Sequence, residues 1–196
     1  MESLYSFAFF RSLLCVIFAM ALAACTTVPE RPQNVQPVDR DIPFLIEARL
    51  VLRHQDEAVS VKIFWTHIAT LDKIILSSPF GQQFAVIMRF GQRYRLIQDG
   101  KVQIETDNID ELTADYFGYP IPFAQLPAWL LGLPAREQID RRAPLPYRVV
   151  TSDGWQLDYE EFIQAQAHWL PRKAIFSNGQ TSVRFVIDRW GVGEQK

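Results

Sequence analysis

The segment LSSPFGQQFAVI, Leu76–Ile87, places a tight turn between two apolar stretches. Pro79 fixes its own φ and Gly81 tolerates a positive φ, so the pair is typical of a turn between antiparallel strands. Turn tips are usually polar, yet Phe80 stands between the proline and the glycine. Two interpretations are open: Phe80 folds back on a neighbouring element, or the turn holds it out toward a partner.

Strand-like segments lie on both sides of this turn. The segments are EARLVLR, AVSVKIFW, LDKIILSS, QFAVIMRF and YRLIQDGKVQIET, and later PYRVVTSDGWQLDYEEF and RKAIFSNGQTSVRFVIDRW. Asp99-Gly100, Asp153-Gly154 and Asn178-Gly179 are favoured two-residue hairpin turns, and strands joined so closely must pair antiparallel. We predict a mainly β fold of about ten to eleven strands, in which a curled sheet carries helices on its concave face.

A helical insert over about residues 108–135 interrupts the strands. Asn108 and Glu111 resemble a capping box at the start of NIDELTADYF, and Gly118 suits the end of that helix. Prolines divide the rest of the insert into short pieces, one of which is predicted to begin at Pro127. This second half is very apolar, with Phe123, Leu126, Trp129, Leu130 and Leu131.

The N-terminal residues 1–24 have the pattern of a secretory signal peptide. Their apolar run, residues 13–22, is shorter than the roughly 20 residues that a membrane-spanning helix needs. The sequence Leu22-Ala23-Ala24-Cys25 resembles the bacterial lipobox, which predicts cleavage before Cys25 and attachment of a diacylglycerol and an N-acyl group to it. The alternative is an ordinary signal peptide that happens to contain Cys25. Residues 25–43, with four prolines, are predicted to be the lipidated cysteine and an extended tether.

The two cysteines limit the chemistry. Cys15 lies in the predicted leader and Cys25 is the predicted lipidation site, so the mature chain would have no free thiol for catalysis or metal binding. Thr26 and Thr27 follow Cys25 where an inner-membrane retention signal would place Asp. The predicted location is therefore the outer membrane of a Gram-negative bacterium, with the domain facing the periplasm.

No residue pattern indicates an enzyme. A net charge of −2 argues against nucleic-acid binding, and the three histidines lack metal-ligand spacing, so we expect surface roles for them. No metal and no cofactor other than the covalent lipid is predicted. The segments KIIL, FAVIM and RFVIDRW are apolar on both faces. Either the helices cover the second face of these strands, or that face lines a cavity. The residues alone leave both possibilities open.

Specific motifs resemble the family of outer-membrane lipoprotein receptors named LolB. They are the lipobox, ARLVLR, KIFW, SSPFGQ, YPIPFAQLPAWLLGLPA, GWQLDYEEF, LPRK and VRFVIDRW, and together they span nearly all of residues 44–196. The resemblance implies a half-open antiparallel β-barrel that helices close around a hydrophobic cavity. It also implies a monomeric receptor that takes lipoproteins from a LolA-like periplasmic carrier and inserts them into the inner leaflet of the outer membrane without ATP.

The resemblance also suggests functional residues. The loop of Pro79, Phe80 and Gly81 matches a protruding, membrane-active loop whose tip is commonly Leu. Strand parity predicts the acyl-chain cavity, with Trp129 added from the insert. The predicted lining is Leu50, Leu52, Val61, Ile63, Trp65, Ile75, Ala85, Ile87 and Trp129. The family usually has a helix before its first strand, for which only residues 26–43 are available here. A structural or assembly lipoprotein without a ligand cavity remains the alternative function.

Overall fold

Ten antiparallel strands form one open sheet within residues 37–119, 121–133 and 145–193, which the computed structural model describes. The strands are β1 (Phe44–His54), β2 (Glu57–Ile68), β3 (Leu71–Ser77), β4 (Gln83–Phe90), β5 (Arg93–Gln98), β6 (Lys101–Thr106), β7 (Arg148–Val150), β8 (Gln156–Ala165), β9 (His168–Ser177) and β10 (Thr181–Val192). Their spatial order is β6-β5-β4-β3-β2-β1-β10-β9-β8-β7. The predicted mainly β, antiparallel architecture is confirmed.

The described residues all belong to a compact unit that spans residues 33–196. The other unit, residues 1–32, lies outside them, and so do the predicted signal peptide and the predicted lipidation site at Cys25. Within residues 37–43 there is no helix before β1, and Val38 and Ile42 pack against the core. No described helix is long and apolar enough to cross a membrane.

Side chains alternate between the two faces of the sheet because a strand has a period of two. One face, here called the inner face, carries the core. A cross-strand row on it consists of Ile46, Trp65, Ile74, Ile87 and Leu96, each at most 2% exposed. The opposite, outer face carries a neighbouring row that is only half-buried: Phe64, Ile75, Val86 and Ile97.

Two short helices follow β6, as predicted for the insert. In α1 (Ile109–Phe117) the Asn108 side chain accepts a hydrogen bond from the Asp110 amide at 3.1 Å, and Gly118 ends the helix with φ 85°. The Glu111 carboxylate accepts from the Thr106 hydroxyl at 3.1 Å instead of completing the predicted capping box. The second helix, α2 (Leu126–Leu130), has the expected proline at its start.

The two ends of the sheet differ. The β3–β4 turn lies at the same end as the β1–β2 turn, and we call this the loop end. The chain enters β1 at Phe44, which pairs with His67 at the far end. The chain therefore enters the sheet at the end opposite the Phe80 turn.

A buried polar cluster fixes the far end. The Asp72 carboxylate accepts hydrogen bonds from Trp65 Nε1 at 2.8 Å and His67 Nδ1 at 2.6 Å, and it also pairs with Arg89. Arg89 donates in addition to backbone carbonyls in the adjoining turns, among them Ile68 at 3.2 Å. The expectation that all histidines are surface residues is wrong for His67, which is 7% exposed. Its ring stacks on Phe44, 23 residues away in the sequence, and spacing along the chain did not reveal that contact.

The Asp72 cluster should contribute substantially to stability. Burial raises the pKa of Asp72, but His67, Trp65 and Arg89 together outweigh that effect, and the pKa is lowered. We expect Asp72→Asn to lower the free energy of unfolding by about 3 kcal/mol at pH 7, because it leaves the cation of Arg89 without its buried partner. Urea denaturation measures this loss.

The pH dependence provides a second readout of the same change. A carboxylate with a lowered folded pKa stabilises the protein above its unfolded pKa, about 3.9, and loses that contribution as pH falls through the folded pKa. The difference in the free energy of unfolding between wild type and Asp72→Asn should therefore shrink below about pH 4. Asp188→Asn is the matched control, because the Asp188–Arg49 pair is exposed to solvent and should contribute little to stability. Equal losses in the two variants would contradict the assigned role of the cluster.

Candidate functional site

An apolar cavity of about 40 Å³ lies on the inner face of the sheet. The sheet contributes Leu50, Leu52, Val59, Val61, Ile63, Trp65, Ile74, Leu76, Ile87, Val183 and Phe185 to its lining, and the insert contributes Phe117, Ile121, Phe123 and Leu126. Every lining side chain is hydrophobic, so the site is suited to hydrocarbon and offers no side chain for acid–base or metal chemistry. Ligand pockets usually measure about 300–1,000 Å³, so this cavity is too small to hold an acyl chain in the present arrangement of the insert.

Most of the predicted cavity residues are in this lining. Leu50, Leu52, Val61, Ile63, Trp65 and Ile87 line the cavity. Ala85 is buried on the same face beside Leu76 but does not reach the cavity surface. Whether these side chains contact acyl chains stays a prediction.

Two predicted lining residues lie elsewhere. The prediction for Ile75 is wrong: Trp65 pairs with Ile74, so Ile75 points to the outer face. Three consecutive apolar residues, 74–76, hid this parity in the sequence. Trp129 is buried but packs against Trp155 and Phe176, with ring centroids 5.7 and 5.5 Å away, outside the lining.

Several lining residues were not predicted. Val183 and Phe185 reach the cavity because β10 pairs with β1, a contact between the two ends of the domain sequence. Phe123 comes from the insert, and its ring centroid lies 5.4 Å from that of Trp65. The alternating apolar residues of VRF and the apolar insert were the available signals, but neither indicated which strand would face which helix.

The insert contacts the β1–β2 hairpin at the loop end. Tyr119 stacks on His54 with ring centroids 4.1 Å apart and an interplanar angle of 16°. His54 Nδ1 lies 2.8 Å from the Thr181 hydroxyl oxygen, which holds the imidazole in place. Nearby, Val59 lines the cavity and is still 47% exposed. The cavity therefore meets solvent at the loop end.

The Phe80 loop, residues 78–82, projects at this same end. The Gly81 amide donates to the Ser78 carbonyl at 2.8 Å, and the Ser78 amide donates to the Gln82 carbonyl at 2.8 Å. Gly81 has φ 92°, which favours glycine at the position where the sequence supplies it. Phe80 is 99% exposed, so the interpretation in which it folds back on a neighbour is wrong.

Comparison with known proteins agrees with this combination of fold and site. A family model described as outer membrane lipoprotein LolB matches residues 43–190. The chain is 34% identical to the outer-membrane lipoprotein LolB of Thiobacillus denitrificans over 88% of this chain and 92% of that protein. It is 30% identical to the LolB of Nitrosomonas europaea over 87% of this chain and 82% of that protein.

A solved structure is similar in fold alone. It is a LolA superfamily protein from Nitrosomonas europaea, with a TM-score of 0.51 and 9% identity. The alignment covers 81% of this chain and 89% of that chain. The open antiparallel sheet is thus an architecture that this chain shares with that protein.

Proposed function

The chain belongs to the outer membrane lipoprotein LolB family, and on that premise we propose that it is a lipid-anchored receptor that accepts lipoproteins from a LolA-like periplasmic carrier. It then inserts them into the inner leaflet of the outer membrane. Family membership makes the chain an outer-membrane lipoprotein with a role in lipoprotein localisation, and not an enzyme. The hand-over and the insertion are the proposed steps.

The observation that carries this proposal is the wholly apolar lining of the inner-face cavity. Acyl chains are the part of a lipoprotein that such a lining recognises, since each methylene removed from water contributes about 0.8 kcal/mol. A bilayer offers a similar gain, so neither location is strongly preferred. Cargo can pass from cavity to membrane without ATP when the cavity binds the chains less tightly than the bilayer does.

The insert closes the half-barrel over this cavity in the proposed mechanism. Because the space is only about 40 Å³, acyl chains enter when the insert moves away from the inner face. Gly118 and Gly132, with φ 85° and 73°, flank the segment that carries α2 and are suited to act as hinges. The Tyr119–His54 stack is the contact that must break at the loop end.

Acyl-chain binding is tested with a lipopeptide whose chain carries a nitroxide quencher. We expect strong quenching of tryptophan fluorescence, because Trp65 lines the cavity. In Trp65→Phe most of the quenching should disappear, whereas Trp190→Phe, outside the lining, should retain it. Unchanged fluorescence on adding the lipopeptide would instead favour a scaffold lipoprotein without a ligand cavity.

The anchor is tested by fractionation. We expect the Cys25→Ala protein to be lost from the outer-membrane fraction. The acyl chains that Cys25 is proposed to carry supply stable attachment, and alanine cannot carry them. Cys15→Ala, in the predicted leader, is the matched control and should fractionate like wild type. Tight membrane association of Cys25→Ala after a salt wash would contradict lipidation at this residue.

A further inference from the structure

A groove of about 300 Å³ lies on the outer face of the sheet, beside the Phe80 loop. Its walls come from three neighbouring strands, β10, β1 and β2, and from Pro79 of the loop. Nothing in the proposed acyl-chain route uses this face. Unlike the inner-face cavity, the groove has polar as well as apolar side chains in its lining, and the polar ones are Arg49, Lys62, Arg184 and Ser60.

The strand register brings the three cations together. Arg49 lies directly opposite Lys62 across the β1–β2 pair, and Arg184 lies opposite Val51, two residues further along β1. Like charges directly opposite one another destabilise a strand pair. Asp188 offsets the charge of Arg49, so Lys62 is the member of the pair that an external anion would stabilise.

Neighbouring carboxylates neutralise two of the three cations in the groove. The Asp188 carboxylate accepts two hydrogen bonds from the Arg49 guanidinium, at 2.8 and 3.0 Å. The Glu160 carboxylate accepts one from the Arg184 guanidinium at 3.1 Å. Lys62 has no salt bridge within the described residues. Its ammonium group is therefore available, and the Ser60 hydroxyl lies on the same face of β2 two residues earlier. An ammonium group and a hydroxyl group are suitable donors for phosphate oxygens.

We propose that this groove binds the phosphate of an anionic phospholipid head group while the Phe80 loop contacts the membrane. The inference rests on the proposed function, which brings the loop to lipid. Ser77, the last residue before the loop, pairs with Lys62, so the apolar tip and the cation reach the same surface. An apolar residue among acyl chains with a cation at head-group level is the usual arrangement of an interfacial anchor.

The site is tested on the lipidated full-length protein in vesicles, without cargo. One vesicle preparation contains phosphatidylcholine alone, and the other contains phosphatidylglycerol in addition. The rate of amine modification of Lys62 is measured by mass spectrometry. We expect it to be roughly fivefold lower with phosphatidylglycerol, the factor expected for one cation at an anionic surface. Lys73, exposed on the same face but four residues further from the loop, should react equally in both.

Inorganic phosphate separates a lipid from a free anion. If phosphate added to phosphatidylcholine vesicles protects Lys62 as well as phosphatidylglycerol does, the groove is a free-anion site and the lipid assignment is overturned. Equal modification of Lys62 under all conditions also overturns it. Because no cargo is present, protection of Lys62 supports the groove even if lipoprotein transfer itself fails.

Variants connect the groove to delivery. Lys62→Gln should lower transfer of a lipoprotein to phosphatidylglycerol vesicles roughly fivefold and leave transfer to phosphatidylcholine vesicles unchanged. Lys73→Gln should behave as wild type with both. Equal transfer by Lys62→Gln and wild type to phosphatidylglycerol vesicles would overturn the proposal.

Discussion

Replacing Ile74 by glutamate is expected to abolish acceptance of acylated cargo, whereas the same replacement at Ile75 should leave acceptance within about twofold of wild type. The two residues are adjacent and chemically identical. Ile74 is 2% exposed and lines the cavity, while Ile75 is on the outer face. The pair therefore separates an effect on the cavity from a general effect of a carboxylate in β3.

The physical reason is desolvation. A carboxylate without a partner in an apolar site shifts its pKa upward by about 3–5 units, which corresponds to roughly 4–7 kcal/mol. That cost is comparable to the whole stability of a typical domain, about 5–15 kcal/mol, so Ile74→Glu must be checked for folding by circular dichroism. A carboxylate at Ile75 remains hydrated and costs far less.

Val59→Glu provides a test that does not depend on folding of the Ile74 variant. Val59 lines the cavity but is 47% exposed, so a glutamate there keeps its water while it places a charge at the mouth. We expect stability within about 1 kcal/mol of wild type and acceptance at least about tenfold lower. Normal acceptance by a folded Val59→Glu protein would show that acyl chains do not pass the loop end.

The regular parts of the sheet were predictable because local chemistry determines them. Asp99 and Gly100 both have positive φ, as the hairpin turn that this dipeptide favours requires. Gly81 likewise has the positive φ that its place in the turn, two residues after Pro79, indicated. In each case the signal is contained within a few residues, and the same residues determine the geometry.

The faces of β3 were not predictable from its own residues. Ile74, Ile75 and Leu76 are all apolar, so alternation gives no parity there. The parity is determined by pairing with Trp65 on one side and Ile87 on the other. The outer face of β3 is half-buried, so it accommodates the apolar Ile75. The polar residue that usually marks an outward-facing strand position is therefore missing.

The cavity depends on contacts between distant segments. The lining includes Phe185, from the last strand, and Phe123, from the insert, which lie 62 residues apart in the sequence. The apolar excess indicated that a second layer or a cavity was needed, but not its position. His67 was misassigned for the same reason, because its ring stacks on Phe44, a residue 23 positions earlier in the chain.

Phe80→Glu is expected to block delivery of cargo to membranes while acceptance from the carrier stays close to wild type. The side chain is 99% exposed and its turn is held by backbone hydrogen bonds, so the change should alter stability by no more than about 0.5 kcal/mol. In the proposed function, acceptance uses the inner-face cavity, which Phe80 does not line. The proposed insertion step brings the loop to lipid, where a phenyl ring gains roughly 2–3 kcal/mol on leaving water and a carboxylate does not.

The measurement follows one radiolabelled lipoprotein through two steps, from carrier to receptor and from receptor to liposomes. Three variants separate the causes of a defect. Phe80→Leu keeps an apolar tip and should deliver cargo nearly as well as wild type, and Phe80→Ala, which loses most of the apolar area, should be at least about tenfold slower in the second step. Gln82→Glu adds a charge to the loop but retains the phenyl ring, so it reports the effect of charge alone.

The pattern of the two steps decides between the interpretations of the loop. If Phe80→Glu unfolds at a much lower temperature than wild type, the ring packs against the domain and the membrane role of the loop is contradicted. If the variant folds and both steps proceed at the wild-type rate, the loop has no membrane role. Loss of the second step alone, shared by Phe80→Ala and absent from Phe80→Leu, requires an apolar tip at the point where cargo leaves the receptor. A ring that stabilises nothing in the folded domain would then be retained for its contact with lipid.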